Sequence, residues 1–410
     1  MLDKREISAT DNKSQRMSRR RFVAGAGTAA LSFTVLKPEL AHGASANSKI
    51  DLGIIGCGGR GTWIARLFQK HGGYNIVAGA DYFPDRLKRF GKVCNLDSTH
   101  LHSGLSCYRK LLEEKLDAVA IESPPYFHPE QAAAAVDAGR HVFLAKPIAV
   151  DVPGCQSIAE SGKKATANKL CFLVDFQTRA DDLYCEAVKR VHNGDIGRIV
   201  SGEATYQTGR LGRKAKPGTA EARLRNWVFD KALSGDIITE QNIHALDVAT
   251  WILDGNPVRA CGTGGRKIRT DVGDCWDHFA VIYTFADDVL LSFSSKQCGT
   301  GYDDILCRVY GSHGTIDTHY AGNVSITGKT PYDGGNTGNL YTNGAVTNIA
   351  DFYDSVTKER FANPTVAPSV CSNLTTILGR IAAYERTEVT WDQMMAANDK
   401  IEADLKGLKV

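Results

Sequence analysis

The chain has 410 residues, 43% of them hydrophobic and 23% charged, with a formal net charge of +3. That length suits two domains of ordinary size, and the near-neutral balance excludes a charge-built nucleic-acid groove or a polybasic membrane surface as the working face. No apolar run reaches the roughly 18–20 residues that span a bilayer. The eleven cysteines are scattered with no C-x-x-C pair, so they read as buried small hydrophobes rather than as a disulfide or zinc framework.

Residues 1–46 read as an address. Ser18-Arg19-Arg20-Arg21-Phe22-Val23 is a twin-arginine pattern, Phe22–Leu36 is a short apolar run rich in Ala and Gly, and Ala44-Ser45-Ala46 is an A-x-A cleavage site. The three together predict a twin-arginine export signal cut after Ala46, and an exported, periplasmic protein with no stable membrane span once it is removed.

Residues 47–175 alternate strand and helix. Strands are predicted at Ile50–Ile55, Tyr74–Ala80, Asp117–Ser123, His141–Ala145 and Leu170–Phe176, with helices between them, which gives βαβ units and a doubly wound parallel sheet. The first strand runs into Gly56-Cys57-Gly58-Gly59-Arg60-Gly61, a G-x-G-x-x-G turn opening a helix. Such a turn lets backbone N–H groups reach a pyrophosphate at a helix N-terminus, so Gly56, Gly58, Gly59, Arg60 and Gly61 are predicted to bind a dinucleotide. Asp81 closes the second strand, where a carboxylate accepts ribose hydroxyls and repels a 2′-phosphate. NAD is therefore favoured over NADP, although Arg86 stands within reach of a phosphate. Ser123, Pro124 and His128 follow the third predicted strand and border the cofactor by the strand-end rule. Lys146, in Ala145-Lys146-Pro147 at the end of the fourth, faces the nicotinamide, where burial beside a cationic ring fits it for proton transfer.

Residues 176–410 change character. A helix at Asp181–Asn193 precedes longer alternating strands at Ile199–Tyr206, Val258–Gly264, His278–Phe285, Val289–Lys296, Ile305–Gly311 and Val324–Thr327, an α+β domain with a mainly antiparallel sheet. Pro331–Gly344 reads as a loop, and helices are predicted at Asn348–Phe361, Val366–Arg386 and Trp391–Leu408. In Glu240–Asp247 the side chains of Glu240, His244 and Asp247 fall at i, i+4 and i+7, one helical face, and a histidine flanked by carboxylates suits acid–base work. Zinc is the competing ligand, but no second histidine stands at metal spacing, so no metal is predicted. Asn226-Trp227, Arg210, Arg213 and Trp276-Asp277-His278 are candidate substrate walls, with Asn226, Trp227, Asp247, His244 and Lys146 taken as substrate contacts.

The glycine turn, Asp81, S-P-P-Y-F-H at 123–128, A-K-P at 145–147 and E-Q-N-I-H-A-L-D at 240–247 together resemble the glucose–fructose oxidoreductase / inositol dehydrogenase / MocA family over about residues 49–390. The resemblance implies that Lys146 and His244 are catalytic, with His244 exchanging the proton of the substrate hydroxyl, and that Glu240 occupies a position usually held by aspartate. It also implies an open-faced sheet in the second domain, often the interface of a homo-oligomer. The chain departs from the pattern at Ala145, where a glutamate usually precedes the lysine.

These features point to an NAD(P)-dependent oxidoreductase acting on CH–OH groups of a sugar, cyclitol or related polyol. Outside the cytoplasm no pool recycles free NADH, so the cofactor is expected to be retained. The alternative is a redox-neutral, NAD-dependent glycoside hydrolase or lyase working through a keto-sugar. A non-catalytic scaffold that kept the fold is the third reading.

Overall fold

The computed structural model describes residues 49–410, and the predicted signal at residues 1–46 lies outside the described residues. Lys49–Val410 forms one unit built on two sheets. The first half runs β1 (Ile50–Ile55), α1 (Gly59–His71), β2 (Tyr74–Asp81), α2 (Pro84–Cys94), β3 (Leu101–Ser103) and α3 (Cys107–Glu113). It continues with β4 (Ala118–Ile121), α4 (His128–Asp137), β5 (His141–Ala145), α5 (Val152–Ala167) and β6 (Phe172–Asp175). All six strands are parallel, in the order β3-β2-β1-β4-β5-β6. Helices cover both faces, which is why β4 is buried at every position and reads A-V-A-I without alternation. The order reverses between β1 and β4, and a crevice opens there at the strands' carboxyl ends.

After α6 (Asp182–His192), β7 (Ile199–Thr208) leads into α7 (Ala220–Arg225), α8 (Lys231–Ser234), α9 (Ile237–Glu240) and α10 (Ile243–Leu253). Then come β8 (Arg259–Gly265), β9 (His278–Thr284), β10 (Leu290–Gln297), β11 (Asp304–Gly311), β12 (Gly314–His319), β13 (Asn323–Gly328) and β14 (Tyr332–Asn336). α11 (Leu340–Thr357), α12 (Val366–Glu385), β15 (Val389–Thr390) and α13 (Trp391–Ala397) finish the regular structure. The nine strands order as β14-β13-β12-β11-β7-β10-β9-β8-β15. Every pair is antiparallel except β7 with β10, which run parallel. One face is covered by α10 and α12. β10 shows the consequence: Leu291, Phe293 and Gln297 point inward, while Leu290, Ser292 and Ser294 are exposed.

The second half adds β12 and β15 to the predicted strands and differs from the sequence reading in three further places. Pro331–Gly344 is not a loop: Tyr332–Asn336 is β14 and Leu340 already begins α11. A strand reading Y-D-G-G-N has no apolar alternation and owes its shape to the ladder with β13. The predicted helix Trp391–Leu408 stops at Ala397, where Asn398 turns left-handed at φ 49°. The chain then runs irregularly, and the backbone of Lys409 bonds Leu105 N–H at 3.0 Å and the Tyr82 hydroxyl at 3.2 Å. Glu240–Asp247, finally, is not one helix. α9 ends at Glu240, Gln241 and Asn242 turn the chain, and α10 restarts at Ile243.

α12 threads between the sheets with a buried row of small polar residues, Ser369, Ser372, Asn373, Thr375 and Thr376. Asn373 Oδ1 accepts from Ile148 N–H at 3.1 Å and its Nδ2 donates to the Ala149 carbonyl at 3.2 Å. Further along, Thr376 bonds Thr239 at 3.1 Å, Arg380 donates to the Gly235 carbonyl at 2.8 Å, and Tyr384 donates to Asp236 at 2.5 Å. One helix thereby fixes both the segment after Lys146 and the turn carrying Glu240. Gly379 on the same helix is obligatory, because a Cβ there would lie 1.9 Å from the Tyr283 hydroxyl.

Trp276-Asp277-His278, a candidate substrate wall in the sequence, is a corner of the fold instead. Asp277 is fully buried and accepts N–H bonds from Lys267, Ile268 and Arg269 at 2.8, 2.7 and 3.0 Å, with the His278 ring at 2.7 Å. Burial opposes its charge, but these donors outweigh it and bring the carboxyl down to about 2. Asp277→Ala should lower the unfolding free energy by about 3 kcal/mol at neutral pH, measured by urea denaturation. The folded carboxyl titrates below the roughly 3.9 of an unfolded chain, so this contribution is whole above about pH 4 and is lost as pH falls through about 2. Wild type and variant should therefore converge in acid.

Candidate active site

The glycine turn is built by exclusion. Gly56 sits at φ +96°, and a Cβ on it would lie 2.5 Å from the Glu122 carbonyl carbon; a Cβ on Gly61 would lie 1.8 Å from the Gly56 oxygen. Gly59, by contrast, faces open space, and α1 begins after Gly58 with no side-chain cap. Its first N–H groups are thus left for a ligand. Above the turn lies a cavity of about 670 Å³, bordered by Gly56, Gly58, Asp81, Ser123, Pro124 and, at its far end, Glu240. Asp81 is buried at the end of β2 and accepts from Phe83 N–H at 2.8 Å. Burial raises its pKa, partly offset by that bond. Arg86 stacks on Phe83 at 4.6 Å, and its guanidinium lies 3.7 Å from where a Gly58 Cβ would stand. A cradle without side chains, a helix N-terminus and a carboxylate at the neighbouring strand end fit a dinucleotide: pyrophosphate on the turn, ribose on Asp81.

Glu240 marks the other end, and the residues predicted to do chemistry gather behind it. Lys146 Nζ donates to the Glu240 carbonyl at 2.7 Å and stands 3.6 Å from its carboxylate. Burial lowers the Lys146 pKa, Glu240 works against that, and Arg60 adds to it. His244 is 8% exposed, its ring set against Tyr320 at 5.2 Å and Phe176 at 6.5 Å. Burial, then the positive charges of Lys146 and Arg60, hold its pKa well below the ordinary value, so the imidazole is neutral. The structure therefore brings Lys146, Glu240 and His244 together, across a break between helices rather than along one.

Arg60 lies at the centre of a cluster that only the fold assembles. It pairs with Glu122 at 2.9 Å and with Asp175, and donates to the Tyr341 hydroxyl at 2.7 Å. Burial works against its charge, but Glu122 and Asp175 keep its pKa above the ordinary value. Glu122 is fully buried, and burial pushes its carboxyl up to about 7 despite Arg60. Glu122 and Asp175 were readable as acids at strand ends; Tyr341 fell in a predicted loop.

Other sequence candidates are placed elsewhere. Asp247 is fully buried on α10, bonded to Arg179 at 3.0 Å and Ser372 at 2.6 Å, and does not line the cavity. Asn226 spends its amide on the backbone of Lys214 and Ala215, at 2.8 to 3.2 Å, and shapes the connection before α7. Trp227 borders the cavity but packs with Tyr82, Phe83, Leu105 and Phe127, at the Asp81 end rather than beside His244. Arg210 and Arg213 pair with Asp271 at 2.6 and 3.0 Å. His128 stands behind the cofactor wall, between the carbonyls of Pro147 at 2.8 Å and Ser123 at 2.7 Å, its pKa lowered to about 4 by burial. Ser123 borders the cavity and donates to Gln131 at 2.6 Å.

Comparison with known proteins accords with this geometry. The family model described as "Oxidoreductase family, NAD-binding Rossmann fold" matches residues 50–173, and the GFO/IDH/MocA C-terminal domain matches residues 184–317. An inositol 2-dehydrogenase of Acidothermus cellulolyticus is 26% identical over 269 residues, covering 65% of this chain and 72% of that protein. In fold, the chain is similar to an aldose–aldose oxidoreductase of Caulobacter crescentus, with a TM-score of 0.69 and 18% identity over 83% of this chain and 99% of that one. It is also similar to a levoglucosan dehydrogenase in complex with NADH, with a TM-score of 0.68 and 18% identity over 84% of this chain and 99% of that one. The chain belongs to the GFO/IDH/MocA family of NAD-binding oxidoreductases.

Proposed function

We propose that the protein oxidises a CH–OH group of a sugar, cyclitol or related polyol and retains its nicotinamide cofactor through the cycle. The observation that carries this is a set of buried polar atoms near Lys146 with no partner among the described residues: Glu240 Oε2, both amide atoms of Asn242, His244 Nδ1, Gln297 Oε1 and the Tyr320 hydroxyl. They belong to one place, since Tyr320 packs on His244 and Gln297 bonds Gln241. Orphaned donors and acceptors are costly unless a ligand meets them, and a polyhydroxylated one offers both kinds in every hydroxyl. The names of the inositol and levoglucosan dehydrogenases support the same class.

A bound NAD supplies the hydride acceptor. Neutral His244 takes the hydroxyl proton on its ring. Lys146, one N–H committed to the Glu240 carbonyl, keeps the others for the reacting oxygen, and the free oxygen of Glu240 receives a neighbouring hydroxyl. The twin-arginine pattern at residues 18–23 supports export, and export supports retention. It equally supports the second reading, a redox-neutral glycoside hydrolase or lyase that oxidises, eliminates and returns the hydride. The exposed Val200, Ile282 and Leu290 on strands of the second sheet support a homo-oligomer through its open face.

Four measurements bear on this. Denatured, freshly purified protein should release nicotinamide in near-stoichiometric amount; an empty protein that turns over added NAD would leave an ordinary dehydrogenase. Against a polyol panel including myo-inositol, Lys146→Ala and His244→Ala should each slow hydride transfer by about 10²–10⁴-fold, read at the NADH band. Glycoside cleavage with no net change at that band would select the second reading. For wild type, the rate should hold well below pH 6.5, because His244 is already neutral there, and should fall on the alkaline side before about pH 10.4, as Lys146 deprotonates early.

A further inference from the structure

Across the β4–β5 ladder Ile121 pairs with Leu144, and the next step sets Glu122 beside Ala145. Neighbours in a parallel pair share a face, so the small methyl of Ala145 leaves room for the longer Glu122 side chain. Glu122 is fully buried there and borders the same cavity as the glycine turn and Glu240. Among the described residues its one close counter-charge is Arg60 Nε at 2.9 Å, and neither of its oxygens has a well-formed hydrogen bond there. Asp175 shares the same guanidinium and is as deeply buried, but has further donors. It also receives Gln177 at 3.0 Å and Asn348 at 2.8 Å. Of the two acids, Glu122 alone is left short of donors. Facing it are Arg60 from α1, Asp175 from β6 and Lys146 just past β5, with Glu240 beyond Lys146.

We propose that Glu122 is a positioning residue of the redox site: acting through Arg60, it sets the net charge of the cleft beside Lys146 and His244, and so the preference of the site for NAD over NADH. With Glu122 ionised, the group of Arg60, Asp175 and Glu122 carries one net negative charge; with Glu122 protonated, it is neutral. Oxidised nicotinamide is a cation and reduced nicotinamide is not, so the added negative charge favours the oxidised form. Burial raises the Glu122 carboxyl to about 7, so the charge is present above neutrality and absent below it. The inference rests on the NAD-binding reading of the cleft.

The test uses the full protein freed of nucleotide. NADH affinity is measured by fluorescence, and NAD affinity by displacement of NADH, from about pH 5.5 to about 8.5. In wild type the ratio Kd(NADH)/Kd(NAD) should rise about tenfold across that range. Glu122→Gln should give a flat ratio at the acid-side value, and Glu122→Asp should recover part of the slope, which a merely structural role would not do. A flat wild-type ratio would overturn the proposal without any variant having to fold, as would a slope that survives in Glu122→Gln. Absence of NADH binding to wild type would instead overturn the parent reading, and the proposal with it.

Discussion

The bonds that Asn373 makes with Ile148 N–H and the Ala149 carbonyl hold the chain that leaves Lys146, and the placement of the redox site depends on them. The same helix holds the turn carrying Glu240, through Thr376 on Thr239, Arg380 on the Gly235 carbonyl and Tyr384 on Asp236. Lys146 directly follows β5 of the parallel sheet and Glu240 lies between β7 and β8 of the second sheet, yet their contact at 2.7 Å is fixed from behind by a third element. The partners are buried, so breaking one leaves a polar group without water, at about 1–3 kcal/mol each. α12 is therefore rich in Ser, Thr and Asn where an ordinary core helix would be aliphatic.

Within that frame the cleft is electrically divided. At one end Asp81 and Arg86 flank a turn made of backbone. At the other, Lys146 and Arg60 are buried among Glu122, Asp175 and Glu240, with His244 kept neutral by burial and by the two cations. A base held uncharged beside a lysine is the arrangement that the proposed removal of a hydroxyl proton calls for. The cost of burying so many charges together is offset by mutual pairing, most fully at Asp175, least at Glu122.

The glycine turn, Asp81, Lys146 and the Glu240–His244 segment were legible in the sequence because each follows a local rule: a strand running into glycines, an acid at a strand end, a lysine before a proline. What was not legible was assembled over distance. Arg60 meets Asp175 and Tyr341 across separations of 115 and 281 residues. Asp247 was misplaced because the i, i+4, i+7 argument assumed an unbroken helix, and the break at Gln241-Asn242 carries neither glycine nor proline to announce it. Trp227 has the composition of a sugar platform, but its position at the Asp81 end is set by tertiary packing with Phe83 and Leu105. β14 is invisible for the opposite reason: its glycines give no pattern, and its neighbour supplies the order.

The single parallel pair in the second sheet, β7 beside β10, has a topological consequence. Adjacent parallel strands cannot be joined by a hairpin, so the chain leaves the sheet after Thr208, rejoins it at Arg259 in β8, and reaches β10 only by way of β9. α9, α10 and the turn with Glu240 and His244 all lie on that journey. The residues proposed to meet the substrate are thus carried by an excursion the sheet obliges but does not shape. Descendants of this chain can lengthen, shorten or rewrite the excursion to suit new substrates while every strand register stays as it is.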